Sequence, residues 1–257
     1  MHKAHHIIVI LLGIILFSYG ALCFGEKIVI IGNHDHSPKV YMEDNKANGI
    51  LIDIMKYVDQ NSLHTFEYKL YPWKRAYENA LNSKGGIIGL SMNSERLKTF
   101  DYSDVMFYDD LRLVVLKGHE FPFNNIKDLK GKIVGVQLGA SYGEAFEKAK
   151  NSIFIVDGDK SGQQRLKKLL SKRIDVALIS PGKMGLNSVI IQSPELLKRK
   201  DEFVILDKPF KRDPNFLGFK KTMNMEGFIQ EFNKVLKKGH ESGAIQKIID
   251  NYGSINK

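Results

Sequence analysis

Residues 132–150 read KIVGVQLGASYGEAFEKAK, and this stretch decides the fold. Lys132 to Val136 has the β-branched pattern of a short strand, Gln137 to Ser141 is a glycine-containing turn, and Tyr142 to about Lys150 has helical spacing. A strand that turns straight into a helix is half of a strand–helix–strand unit, from which helix-covered parallel sheets are built. The other half follows: Ser152 to Val156 predicts a strand, Ser161 to Ser171 a helix, and Ile174 to Ile179 a further strand.

Towards the N-terminus the same rhythm appears. Glu26 to Ile31 predicts a strand leading into a polar loop, Gly32 to Pro38; Asn45 to Gly49 is a turn, and Ile50 to Val58 a helix. Thr65 to Leu70 alternates like a strand, and Pro72 opens a helix from Trp73 to about Ser83, in a first-turn position where a missing N–H costs little. Ile87 to Leu90 predicts a buried strand, Ser94 to Lys98 a short helix and Leu111 to Leu116 a longer apolar strand. Towards the C-terminus come a strand at Phe203 to Leu206, a basic, proline-containing turn at Lys208 to Pro214, a strand at Phe216 to Lys220, and helices at about Met223 to Lys238 and Ser242 to Tyr252. Two such runs on either side of Leu111 to Leu116 predict an α/β chain of two lobes, each with a mostly parallel sheet flanked by helices. With no low-complexity linker, the lobes are expected to be joined by two hinge strands, near Leu113 to Lys117 and Leu206 to Phe210. The expected division is residues 26–116 plus 211–257 for the first lobe and 117–210 for the second.

Residues 1–25 carry a weakly basic head (His2, Lys3, His5, His6), an apolar run from Ile7 to about Leu16 that softens towards Phe24, and small residues at Cys23 and Gly25. This predicts a secretory signal peptide, cleaved near Gly25, rather than a retained anchor. Cys23 is the only cysteine, so the mature chain of roughly 230 residues has neither a disulfide nor a thiol nucleophile and relies on buried apolar surface. Lys plus Arg number 38 against 29 Asp plus Glu. These charges are scattered over helix faces, which together with export argues against a nucleic-acid partner.

In open parallel sheets ligands bind beyond the carboxyl ends of strands, where helix N-termini offer free N–H groups. That rule selects Asn33 to Pro38, Ser91 to Asn93, Gly139 to Tyr142 and Ser180 to Gly182. Arg96 follows directly and is suited to gripping a carboxylate through paired hydrogen bonds, or to lying on the surface. Trp73, the only tryptophan, suits an aromatic wall or the core. Ser141 and Ser180 suit helix caps or anion donors. His34, Asp35 and His36 have a spacing that brings the two histidines to one side and turns Asp35 away, which argues against a metal site. Asp109-Asp110 reads as a loop face, and the mature chain carries no GxSxG, GxGxxG or phosphate-loop pattern.

The motif Gly89-Leu90-Ser91-Met92-Asn93-Ser94-Glu95-Arg96, followed by Phe100-Asp101-Tyr102-Ser103, resembles a stretch of the extracellular solute-binding proteins that serve polar amino acid ABC transporters. So do Asn48-Gly49 with Ile52-Asp53-Ile54, Tyr71-Pro72-Trp73-Lys74-Arg75-Ala76, Asp128-Leu129-Lys130-Gly131-Lys132, and Ile174-Asp175-Val176-Ala177. The resemblance implies a type II periplasmic binding protein-like fold, no catalysis and no cofactor, and a monomer that closes on a small-molecule ligand for a membrane ABC permease. It also implies that Arg96 binds a ligand carboxylate with Ser91, Asn93 and Ser141, while Tyr41 and Trp73 line the first-lobe side. Ser180 stands where amino acid binders of this family carry an acid for the ligand ammonium, which implies either that another acid substitutes, with Asp35 the candidate, or that the ligand is not an ordinary α-amino acid. The same fold also serves sensors and periplasmic dehydratases, alternatives that the resemblance leaves open.

Overall fold

The computed structural model describes residues 27–255. The expected leader, its cleavage point near Gly25 and Cys23 lie outside the described residues.

The N-terminal run forms β1 (Ile28–Asn33), a small antiparallel sheet of β2 (Asp35–His36), β3 (Val40–Glu43) and β4 (Lys46–Asn48), then α1 (Ile50–Gln60), β5 (Phe66–Tyr71), α2 (Trp73–Leu81), β6 (Gly86–Ser91), α3 (Ser94–Thr99) and β7 (Phe100–Tyr102). β8 (Phe107–Leu116) leads to β9 (Ile133–Gln137), α4 (Glu144–Ala149), β10 (Ile155–Asp159), α5 (Gly162–Leu170), β11 (Val176–Ile179), α6 (Gly182–Ile191), α7 (Pro194–Lys198) and β12 (Phe203–Ile205). β13 (Lys211–Lys220), α8 (Glu226–Glu241) and α9 (Ala244–Ile255) close the described chain.

The strands run β10-β9-β11-β8-β13-β6-β1-β5, with β12 added on β8 and β7 on β13. The outer pairs are parallel, as strand–helix–strand units require: β1 with β5 and β6, and β9 with β10 and β11. β8 and β13 run antiparallel through the middle and carry the chain from one lobe to the other. Phe107 to Leu111 of β8 pair with Asn215 to Lys211 of β13, whereas Arg112 to Leu116 pair with β11 and β12. Packing changes hands at the same place. Phe107 belongs to a core with α1, α8 and α9, and Leu111 and Leu113 to a core built from β9, β11 and α4. The handover at Leu111 thus falls earlier in β8 than the expected hinge.

Two local expectations are corrected. Lys211 to Pro214 is not a turn but the first half of β13. Pro214 is tolerated there because it pairs only with β8; the pairing with β6 begins at Asn215, so the missing N–H breaks no ladder on that side. Asp109-Asp110 is likewise not a loop face. Both residues lie in β8, and the strand's alternation turns Asp109 inward, where it is 1% exposed.

Candidate functional site

Strand ends and helix starts from both lobes converge on one pocket. Its floor on the first-lobe side comes from the ends of β1 and β6 and from the chain between β2 and β3; the opposite wall comes from the turn after β9 and from Ser180 after β11.

Arg96 enters it from α3. Asn93 caps that helix, its Oδ1 accepting the Arg96 N–H at 2.8 Å, which fixes the arginine backbone. The guanidinium donates to the Ser91 carbonyl at 3.0 Å and lies over the Tyr77 ring, 4.8 Å from its centroid. The residue is 4% exposed, and among the described residues no carboxylate pairs with it. A buried cation held only by a carbonyl and an aromatic face is ready to receive an anion.

Of the other candidates, Trp73, Ser91, Ser141 and Ser180 line the same pocket. Trp73 is the first residue of α2, and its indole N–H reaches across to the Gly139 carbonyl at 3.1 Å. Asn93 stands just behind, its amide donating to Ser141 Oγ at 3.0 Å. Ser180 faces His36, whose Nε2 lies 3.0 Å from its hydroxyl and 3.1 Å from its carbonyl. The structure does not bring Asp35 and Tyr41 to this pocket. They pair with each other across the β2–β3 hairpin, and Asp35 lines a neighbouring cleft with Ser37, Arg165 and Gln192. The hairpin turn instead carries Lys39 and Val40 into the site. Burial raises the Asp35 carboxyl, with His34 opposing.

Sequence reasoning missed several residues that the fold assembles here. Lys39, 7% exposed, donates through Nζ to Asp109 Oδ2 at 2.5 Å and to Asn215 Oδ1 at 3.1 Å. Burial pushes the Asp109 carboxyl above its usual range, opposed by the Lys39 ammonium and then by Ser180. Asp213 accepts from Ser91 Oγ and pairs with Lys211. Asn33, at the end of β1, is fully enclosed, its Oδ1 accepting from the Asp35 N–H. His36 is held well below the usual imidazole range by burial first, then by Lys39, which keeps it neutral. The polar loop after β1 pointed towards this region, but nothing in the local sequence marks a lysine or an aspartate in a strand as buried.

The lobes touch around the pocket. Besides the Trp73, Asn93 and His36 bonds, Ser188 Oγ donates to Ser37 Oγ at 2.7 Å, and Met184 of α6 packs against the first-lobe core. The site is therefore a polar pocket enclosed between two closed lobes, with one cation that lacks a counter-ion among the described residues.

A sequence model of the bacterial extracellular solute-binding proteins, family 3, matches residues 28–255. The arginine-binding extracellular protein ArtP of Bacillus subtilis is 27% identical over 232 residues, which cover 87% of this chain and 85% of that protein. Among solved structures, the arginine-, lysine-, histidine-binding protein ArtJ of Geobacillus stearothermophilus superposes with a TM-score of 0.71 at 22% identity, covering 88% of this chain and 95% of its own. A histidine kinase sensor domain with similarity to periplasmic binding proteins superposes with a TM-score of 0.74 at 14% identity, covering 88% and 96%.

Proposed function

The chain belongs to the bacterial extracellular solute-binding proteins, family 3, and from that premise we propose that it is the exported substrate-binding component of an ABC transporter, holding a small, carboxylate-bearing, amino acid-like solute between its lobes. The observation that carries this reading is Arg96: buried, fixed by its cap, lying over Tyr77, and without a carboxylate partner among the described residues in a pocket built from both lobes. The ligand carboxylate takes the guanidinium, with Ser91 and Ser141 beside it and Trp73 as a wall. Relatives named for arginine binding, ArtP and ArtJ, support a solute of amino acid size.

The lobes act as jaws. Residues up to about Asp110 of β8, together with the chain from Lys211 onward, form the first lobe, and the intervening chain forms the second; β8 and the entry to β13 flex between them. Ligand contacts to both lobes exist only when the jaws are shut, so binding stabilises the closed form. A membrane permease then reads that form. Residues 1–25 direct export and are removed near Gly25; the mass of the protein recovered outside the cytoplasm checks this and should correspond to a chain beginning near Glu26.

The decisive experiment is a thermal-shift screen of the purified mature chain against amino acids and small carboxylates, followed by calorimetry on the hits. A solute that binds only the native state raises the apparent stability. The reading predicts carboxylate hits that Arg96→Ala no longer binds tightly. A screen in which no carboxylate shifts the transition, or an Arg96→Ala variant with parental affinity, contradicts it.

A further inference from the structure

The acids of the pocket are already matched with cations from the protein itself. Asp109 is bound by Lys39, and Asp213 by Lys211 and the Ser91 hydroxyl. Ser180 contributes a neutral hydroxyl, and the buried His36 ring between Lys39 and Ser180 is neutral. Of the charges facing the pocket, only Arg96 has no counter-ion among the described residues. The site is therefore short of one negative charge and of no positive charge.

Two uncharged needs remain. Asn33 Nδ2 and Asp109 Oδ1 are buried side-chain atoms that make no direct hydrogen bond, the Ser180 hydroxyl being the nearest donor that acts on the Asp109 carboxyl, and both residues line the pocket at 1% exposure. The first is a donor that calls for an acceptor, and the second an acceptor that calls for a donor. A hydroxyl or an amide next to a carboxylate supplies both kinds of group without adding charge. An ammonium also offers donors to Asp109 Oδ1, but it places a second cation beside Lys39 Nζ, and like charges a few ångströms apart in a poorly hydrated site repel.

Resting on the reading of the pocket as a solute site, we propose that it selects monocarboxylates whose second polar group is neutral, such as 2-hydroxy acids or N-acylated amino acids, over free amino acids. Lys39 is the residue that sets this preference, because the protein's own ammonium occupies the carboxylate to which a ligand ammonium would otherwise bind. Arg96 reads the carboxylate, Asp109 Oδ1 the hydroxyl or amide hydrogen, and Asn33 Nδ2 the neighbouring oxygen.

The test uses matched triples: alanine, leucine, glutamine and arginine, each beside its 2-hydroxy acid and its N-acetyl derivative, measured by calorimetry on the mature parent protein. In at least one triple an ammonium-free member should bind at least tenfold more tightly than the amino acid. Lys39→Met, which frees Asp109, should move the ratio in the same triple towards the amino acid by tenfold or more. The comparison within each triple on the parent protein stands whether or not Lys39→Met folds. Amino acids that bind the parent better than their ammonium-free partners overturn the selectivity and leave the solute-binding function standing. If no member of any triple binds, the selectivity falls together with the carboxylate reading. A folded Lys39→Met with an unchanged ratio removes Lys39 as the determinant.

Discussion

Burying a guanidinium costs free energy unless something charged or polar meets it, so the isolation of Arg96 from every carboxylate of the described residues has a measurable consequence. Arg96→Ala would leave a bound carboxylate unpaired in an enclosed site, a loss of about 2–5 kcal/mol. At about 1.4 kcal/mol per factor of ten, calorimetry should read a drop of roughly thirtyfold or more. Arg96→Lys keeps the charge but loses the planar fork and the stacking on Tyr77, and it too should bind weakly. At His36 the expected effect is on pH dependence. Burial depresses its pKa in the fold, so below the unfolded value, about 6.5, the unfolded chain binds a proton that the folded chain refuses. Stability is therefore full above about pH 6.5 and falls as the pH drops below it. His36→Gln should flatten the decline in melting temperature between pH 7.5 and 5, and an unflattened profile would assign the decline to other groups. Arg96, Ser91, Trp73 and Ser141 stood out as candidates because strand-to-helix junctions advertise themselves in sequence, while their separate roles came from the family resemblance. Lys39 and Asp109 did not, because each looks like an ordinary exposed charge until the fold places one against the other, 70 positions apart along the chain.

Elements place these residues, and the junction before α1 places Lys39. The first amides of that helix, Ile50 and Leu51, donate to the carbonyls of Pro38 and Lys39 at 2.9 and 3.0 Å, tying the hairpin to the helix N-terminus. Gly49 makes this approach possible. Its φ is +115°, and a β-carbon there would lie 2.6 Å from the Lys39 carbonyl oxygen and 2.9 Å from that of Pro38. Backbone cannot yield as a flexible side chain does, so Gly49→Ala should cost roughly 3 kcal/mol and weaken ligand binding with it, since Lys39 must shift. Thermal denaturation beside the parent checks this; an unchanged midpoint would mean that the hairpin adapts freely. The strand–helix rhythm was readable over most of the chain because apolar periodicity records which face of each element is buried. It failed where tertiary pairing overrides local chemistry. Lys211 to Pro214 has the composition of a turn yet joins β13, since β8 offers an unbroken partner on the one side that proline leaves intact. The strand expected at Ser152 to Val156 forms instead at Ile155–Asp159, displaced because the turn after α4 runs on through Asn151, at φ +63°.

At the scale of the whole molecule, the lobes are held together by hydrogen bonds beside the apolar contacts of Met184 and Ala140, and such bonds suit a reversible closure. Trp73 to Gly139, Asn93 to Ser141, Ser188 to Ser37 and His36 to Ser180 all join partners that water can satisfy once the jaws part. Each contributes about 1 kcal/mol net to the closed form, enough to bias the equilibrium without locking it. Trp73→Phe probes this balance. It keeps an aromatic wall in the pocket while removing the indole N–H bond to the Gly139 carbonyl, together with ring volume that packs in the first-lobe core beside Ile31, Ile87 and Leu90. Asn93→Ala, by contrast, would also uncap α3 and loosen Arg96. Losing about 1 kcal/mol from closure shifts that equilibrium about fivefold. A ligand that binds the closed form must make up the difference, so its apparent affinity should fall by up to that factor, chiefly through faster release. The freed carbonyl reaches solvent whenever the lobes open, so the cost to folding comes from the ring volume lost in the core around Trp73. The expected result is a weaker ligand, a larger mean radius of gyration by small-angle scattering, and a melting midpoint lowered by about 2–4 °C for each kcal/mol of core packing lost. A variant with parental affinity and dimensions, whatever its thermal stability, would show that Trp73 serves the core rather than the jaws.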